Sequence, residues 1–141
     1  MKRRRARRCV LWLQIVLCAV CICTGCVSRI QKTEKLKDIS FEVLAKEEVP
    51  QQFAEVIAEK KHRPFRLTYT DGGVLYIAEG YGAQLTTGYS VAVTELYETK
   101  EAVYLHTSLL GPPKGEKIKE ISTFPYIVVK TEEIKKPVVF D

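Results

Sequence analysis

The fold is decided at residues 65–79, which read FRLTYTDGGVLYIAE. Apolar or aromatic residues stand at positions 65, 67 and 69 with polar residues between them, and a second apolar stretch follows. Alternation with a period of two is typical of a half-buried β-strand. Between the two stretches, Asp71-Gly72-Gly73 permits the positive φ angles that a tight hairpin turn requires. The stretch therefore predicts two antiparallel strands joined by a tight turn.

More strands are predicted on the C-terminal side of this hairpin. Alternation resumes at Tyr89, and polar or glycine-containing segments separate the later apolar stretches. Period-two patterns bounded by turn residues indicate strands. The predicted strands are Tyr89 to about Tyr97, Ala102–Ser108, Tyr126–Thr131 and, as an edge strand, Val138–Phe140.

A short strand and a helix are predicted on the N-terminal side. In residues 40–46, Phe41, Val43 and Ala45 alternate with their neighbours, which favours a strand. Further on, apolar residues recur at helical spacing behind a proline, which suits the first position of a helix. That helix is predicted to run from about Pro50 to Lys61.

These elements predict an α+β fold that is mainly β. Five to seven short strands with one early helix bury themselves as a small antiparallel β-sandwich or a partly open barrel, with the helix over one face or end. Strands do not alternate with helices, so a parallel α/β sheet is not expected. The domain is predicted to span residues 40–141.

The first residues carry the pattern of an export signal. Six of residues 1–8 are basic, and an apolar run from Cys9 to Cys23 follows, interrupted only by Gln14. A basic block before an apolar run directs export, and the basic residues stay in the cytoplasm. Residues 1–26 are therefore predicted to be a lipoprotein-type signal peptide or a membrane anchor. A polar tether, residues 27–39, would hold the domain at the outer face of the membrane.

Three kinds of processing are compatible with this segment. The sequence from Cys23 to Cys26 resembles a bacterial lipobox, in which cleavage after Gly25 leaves Cys26 to carry lipid. Alternatively, the 19 residues from Cys9 to Val27 remain as an uncut anchor, at the lower end of the length that spans a bilayer. Plain secretion is the third alternative.

Composition excludes several classes of function for the domain. Without the six basic residues of the leader, 16 basic residues face 17 acidic ones, so the basic footprint of a nucleic-acid-binding protein is absent. All five cysteines lie in residues 9–26, which leaves the domain without a disulfide, a thiolate metal site or a cysteine nucleophile.

No enzyme is predicted. The two histidines, His62 and His106, are far apart in sequence, and each has a structural interpretation, at a solvated helix end and within a strand. Ser90 lies in a partial match to the G-x-S-x-G elbow, but the second glycine is missing. We therefore expect no catalytic residue, no metal site and no cofactor.

Binding is the remaining class, and its candidate surface is the loop from Gly80 to Tyr89. Loops on a rigid β scaffold commonly carry recognition, and glycine, threonine and tyrosine suit a protein interface. The alternative is that the glycines serve turns and the tyrosines belong to the core. The candidate partner-binding residues are Gly80, Tyr81, Gly82, Gln84, Thr86, Thr87, Gly88 and Tyr89.

This loop carries a resemblance to a known family. Residues 80–91 read GYGAQLTTGYSV, which resembles the G-x-G-x-x-P-T-G-G-Y-x-[IV] stretch of PrcB protease-complex subunits, with Leu85 and Thr87 as departures. Gly111-Pro112-Pro113 and residues 123–130 are also similar to the end of the PrcB C-terminal domain. The resemblance implies a surface lipoprotein that binds and supports an exported partner protease, without a catalytic residue of its own.

Two alternative functions stand beside this one. Residues 85–89 are similar to the N-P-T-T-G-Y loop of chagasin-type cysteine-protease inhibitors, although Gln84-Leu85 replaces the Asn-Pro pair. An envelope module that binds peptide or glycan is the other alternative, and Tyr81 and Tyr89 exposed on one surface would favour it.

Overall fold

A computed structural model describes residues 34–141 of the chain. Within that range it contains one α-helix, eight β-strands and a 3-10 turn at Lys46–Glu48. The bounds are β1 (Lys37–Asp38), β2 (Glu42–Val43), α1 (Gln51–Lys60), β3 (Pro64–Asp71), β4 (Val74–Tyr81), β5 (Ser90–Glu98), β6 (Val103–Leu110), β7 (Tyr126–Glu132) and β8 (Val138–Phe140).

The strands form two four-stranded sheets. Sheet I has the order β1-β5-β6-β8, and sheet II has the order β2-β7-β4-β3. Neighbouring strands are antiparallel except for β6 and β8, which are parallel. The fold is thus a mainly β sandwich with one helix, as the sequence predicts, and the partly open barrel is not observed.

The predicted hairpin is confirmed in full. β3 and β4 pair without interruption from Pro64 opposite Tyr81 to Asp71 opposite Val74. Gly72 and Gly73 form the turn with φ angles of 55° and 80°, a region that residues with a Cβ rarely adopt. The doubled glycine therefore sets the register of the hairpin.

Two hydrophobic clusters build three layers. The first lies between the sheets and includes Ile77, Val103, Leu105 and Val129, each without exposed surface. The second lies on the opposite face of sheet II, where Phe53 and Ile57 of α1 pack with Phe65, Ala78 and Val128. Within the described part of the chain, sheet II is therefore covered on both faces, whereas sheet I is covered on one.

The predicted helix is confirmed at Gln51–Lys60. Phe53 and Ile57 are its buried residues, and the Phe53 ring stacks on Tyr69 of β3 at 5.4 Å between centroids. Val56, which the spacing placed beside them, is 38% exposed. The helix thus contacts the sheet along a narrower stripe than the sequence suggested.

The short strand predicted at residues 40–46 is only partly correct. Pairing is limited to Glu42 and Val43, which lie opposite Lys130 and Val129 of β7. The alternating residues Phe41 and Val43 are exposed, whereas Leu44 is buried in the cluster under α1. The chain changes sheets here, and this crossing breaks the alternation.

The domain begins earlier than the predicted boundary at residue 40. Lys37–Asp38 pair with β5, and Ile39 is buried between the sheets. These residues belong to the fold rather than to a tether. Cys26 and the rest of the predicted leader lie outside the described residues. Within residues 34–141, no helix combines the length and the apolar character needed to cross a membrane.

Candidate functional site

The predicted loop is braced by a second segment of the chain. Gln84 and Thr123 exchange two backbone hydrogen bonds of 2.8 and 3.0 Å. Thr87 donates its amide to the Lys119 carbonyl, and its hydroxyl accepts the Lys119 amide, both at 3.0 Å. The Thr123 hydroxyl donates to the Thr86 carbonyl at 2.8 Å. Residues 82–89 and 111–124 together form a structure that we call the loop cap.

Gly88 is required where the loop cap closes. Its φ angle is 92°, and a Cβ at this position would lie 2.6 Å from Cβ of Pro112. Both the backbone conformation and the available space therefore exclude a larger residue. This contact joins the two segments of the loop cap, so the glycine has a structural role there.

Gly80 and Tyr81 are strand residues, which corrects the predicted start of the loop. They end β4, and a Cβ on Gly80 would lie 2.2 Å from the Phe65 ring. The Tyr81 hydroxyl forms a 2.8 Å hydrogen bond with the Thr107 hydroxyl of β6. Gly82 is buried, and Gln84, Thr86, Thr87 and Tyr89 are half-buried. Most of the predicted partner-binding residues therefore lie within the loop cap and contribute to its structure.

The exposed surface of the loop cap carries three large aliphatic side chains among charged ones, since lysines and glutamates of residues 114–120 are exposed as well. Leu85 is 83% exposed, and Ile118 and Ile121 on the bracing segment are 49% and 56% exposed. The backbone pairing brings the segments that carry them side by side. We call these three residues the apolar ridge. Exposed large apolar groups that cluster in this way commonly mark a contact surface for another protein.

Sequence reasoning missed the apolar ridge. The sequence drew attention to Leu85 only as a departure from the PrcB pattern and as the first residue of the inhibitor-like loop, and it predicted neither a strand nor a helix for residues 116–124. The sequence does contain a sign of Ile118 and Ile121: they are isolated isoleucines among charged residues, in a stretch with neither strand nor helix periodicity. Because no strand or helix is predicted there, nothing predicts that these side chains pack into a core.

A buried carboxylate lies at the sheet end next to the loop cap. Glu79 of β4 is 6% exposed and faces the space between the sheets. It accepts hydrogen bonds from Arg66 Nε at 2.9 Å and from the Thr107 hydroxyl at 2.8 Å. The carboxylate is therefore paired in place, and it links β3, β4 and β6. The sequence could have indicated this ion pair, because the hairpin register places Arg66 of β3 directly opposite Glu79 of β4.

An aromatic row covers part of the outer face of sheet I. Tyr97 stacks on Tyr104 with centroids 5.2 Å apart and on His106 at 5.6 Å, and Lys35 Nζ lies 5.1 Å from its ring centre. Burial, together with the negative charge of Glu95, raises the pKa of Tyr97. His106 is thus held in a stack within its strand, as predicted.

The described residues contain no group of three or more histidine, aspartate or glutamate side chains placed to hold a metal ion. His62 is exposed at the end of α1, where its ring meets Phe124 edge-on at 4.5 Å. Ser90 opens β5 and pairs with Leu110. The loop cap offers exposed aliphatic and charged side chains on a hydrogen-bonded backbone.

A protein-family model matches part of the chain. Residues 75–132 match the family model described as PrcB C-terminal. The match covers β4, β5, β6, β7 and both segments of the loop cap. No curated protein and no solved structure matches the chain. The family-model match supports the resemblance to the PrcB family over residues 75–132, which are less than half of the chain.

Proposed function

We propose that this protein is an accessory subunit, anchored at the outer face of the cell membrane, that binds and supports an exported partner protease. The observation that carries the proposal is the PrcB C-terminal match, because it spans the strands and the loop cap that display the apolar ridge. The leader pattern of residues 1–26 supports the anchoring.

The apolar ridge is the proposed contact surface. Leu85, Ile118 and Ile121 stand on a backbone that is already held by the hydrogen bonds of Thr87 and Thr123. Binding to such a surface orders little additional chain, so less of the contact energy is offset by lost entropy. Aliphatic side chains on a rigid loop suit a complementary apolar recess in a folded partner.

The proposal is tested by crosslinking on intact cells and purification of the full chain from membranes. One dominant exported protein is expected to co-purify, and its protease activity or amount should fall when the gene for this chain is deleted. The double variant Leu85→Ser/Ile121→Ser should lose the partner. Val139→Ser, which alters a residue 36% exposed on β8, is the matched control and should keep it.

Two results would contradict the proposal. The first is recovery of no specific exported protein from wild-type membranes. The second is equal recovery by the ridge variant and by the Val139→Ser control. Mass spectrometry of the mature N-terminus tests the anchoring separately, and a lipid-modified Cys26 is expected. The Cys26→Ser variant should not be lipidated, so the protein should either be released from the membrane or stay there with its leader uncut.

Inhibition of a protease is the second candidate, favoured by the 83% exposure of Leu85. A side chain so exposed, next to Thr86 and Thr87, could enter an enzyme cleft. Purified protein should then slow a papain-like enzyme, and Leu85→Ser should remove the effect. The alternative of an envelope module for peptide or glycan was tied to exposed tyrosines, but the Tyr81 hydroxyl is hydrogen-bonded to the Thr107 hydroxyl and Tyr89 is half-buried.

A further inference from the structure

The sandwich has one long strand edge without a strand partner in the described chain. β1 pairs with only one end of β5, at Tyr97 and Glu98, and the Ile39 amide donates to the Leu96 carbonyl at 3.0 Å. The chain then leaves sheet I and joins sheet II as β2. Within the described residues, the segment 90–95 of β5 is therefore paired only with β6.

An apolar groove runs along this open edge. It has a volume of about 440 Å³ and is lined by the start of β5, by β2 with the residues after it, and by the start of β7. Tyr89 and Val91 line one wall, and Leu44, Phe124 and Ile127 line the other. Val43, which is 51% exposed, lies at the rim.

The combination of an open edge and a groove favours an extended peptide. Unpaired amide and carbonyl groups on a strand edge are satisfied by another strand. Alternate side chains of such a strand point to opposite faces, so every second one would enter the groove. The bulge between Val93 and Glu95 interrupts regular pairing, which leaves Ser90–Val93 as the best register.

The described residues before β1 lie at the other end of β5. The Leu36 amide donates to the Glu98 carbonyl at 2.8 Å, whereas the open edge begins at Ser90. Because β1 is antiparallel to β5, residues 34–36 continue away from the open edge and do not occupy it.

We propose that the open edge of β5 receives an extended strand from the partner protein, with alternate apolar side chains in the groove. The source of the strand rests on the proposed function, whereas the site itself does not. The strand would be a second contact, separate from the apolar ridge. Because it would pair through backbone hydrogen bonds, its solvent-facing residues could vary without loss of binding.

The test uses the full chain in mild detergent and a phage-displayed library of random heptapeptides. Selected peptides are expected to carry apolar residues at every second position and to slow amide hydrogen exchange within residues 90–95. Each selected peptide is then made in two forms, N-methylated on its odd or on its even amides. Since alternate amides point to opposite edges of a strand, one form should lose binding and the other keep it.

Substitutions locate the site independently. Val43→Lys places a charge at the rim and should weaken the peptide at least tenfold. Val56→Lys, at a residue 38% exposed on α1 and outside the groove lining, should leave it unchanged. Any of four results would overturn the proposal. The library could yield no peptide, or the peptide could protect amides outside residues 90–95 from exchange. Both methylated forms could bind equally, or the two variants could have the same affinity for the peptide.

Two further outcomes separate this inference from the proposed function. If Val43→Lys still recovers the exported partner as wild type does, the strand site is wrong and the accessory function stands. If wild-type chain self-associates and Val43→Lys is monomeric, the occupant is a second copy, which also overturns the inference. The strand site is supported if the Val43→Lys variant is folded like wild type in the absence of peptide but no longer recovers the partner.

Discussion

The two sheets of this sandwich differ in how many of their faces are covered by the described residues. Sheet II is covered by sheet I on one face and by α1 on the other, and its central strand β4 is buried from Ile77 to Gly80. Among residues 34–141, sheet I is covered on one face only, and its outer face carries Tyr97, Tyr104 and His106 in a stacked row. The covered sheet supplies stability, whereas the half-covered sheet leaves an open edge and a free face for contacts.

Removal of the helix contact should have the largest effect. Phe53 is 3% exposed and stacks on Tyr69, so Phe53→Ala is expected to lower the free energy of unfolding by about 3–5 kcal/mol. Urea titration followed by circular dichroism measures it. The matched control is Val56→Ala on the same helix, which should change little, and similar losses for both would show that the stripe is wider than the structure has it.

The buried carboxylate should come next. Arg66→Met leaves the Glu79 carboxylate at 6% exposure with only the Thr107 hydroxyl as partner, and it should cost about 2–3 kcal/mol. Adding Glu79→Gln should recover part of this loss, because the buried group is then neutral. A double-mutant cycle by urea unfolding measures the coupling, and additive effects would contradict it.

A substitution on the free face of sheet I should cost less. Tyr104→Ala removes the cross-strand stack on Tyr97 and is expected to lower the unfolding free energy by about 0.5–1 kcal/mol. Tyr104→Phe, which keeps the ring, is the control and should stay near wild type. A loss as large as that of Phe53→Ala would mean that the face is covered in the native protein.

The smallest predicted effect depends on pH. A hydrogen bond from Lys136, with Lys37 nearby, holds the pKa of Glu98 below its usual value of 4.5. A carboxylate with a depressed folded pKa adds stability above its unfolded pKa, and this is lost as the pH falls through the folded pKa. The Lys136→Gln variant should therefore show a shallower fall in melting temperature below about pH 5 than wild type. Identical slopes would exclude the link.

Much of the fold was open to prediction from local pattern. The Asp71-Gly72-Gly73 turn and the alternation around it specify β3 and β4, because positive φ and period two are local properties. The helix follows in the same way from spacing between Pro50 and Pro64. At Phe41 and Val43 the same method failed, because a strand that crosses between two sheets has no single inner face.

The candidate site was predictable only in part. The loop of residues 82–89 was found from its composition, but its most exposed large side chain, Leu85, was named only for the inhibitor alternative and not among the candidate partner-binding residues, and Gly80 and Tyr81 proved to be strand residues. The bracing segment could not be predicted, because the pairs Gln84–Thr123 and Thr87–Lys119 join residues more than thirty positions apart. No local periodicity encodes such contacts.

By itself, the sequence determined the sorting of polarity along the chain, the turn chemistry and the strand and helix periods, all of which depend on near neighbours. Only the tertiary structure decided which sheet received the helix, which edge of β5 stayed open and which aliphatic side chains were left at the surface. Those outcomes depend on which distant segments compete for the same partner, and in this fold β1 covers two residues of β5 before Ile39 leads the chain to the other sheet.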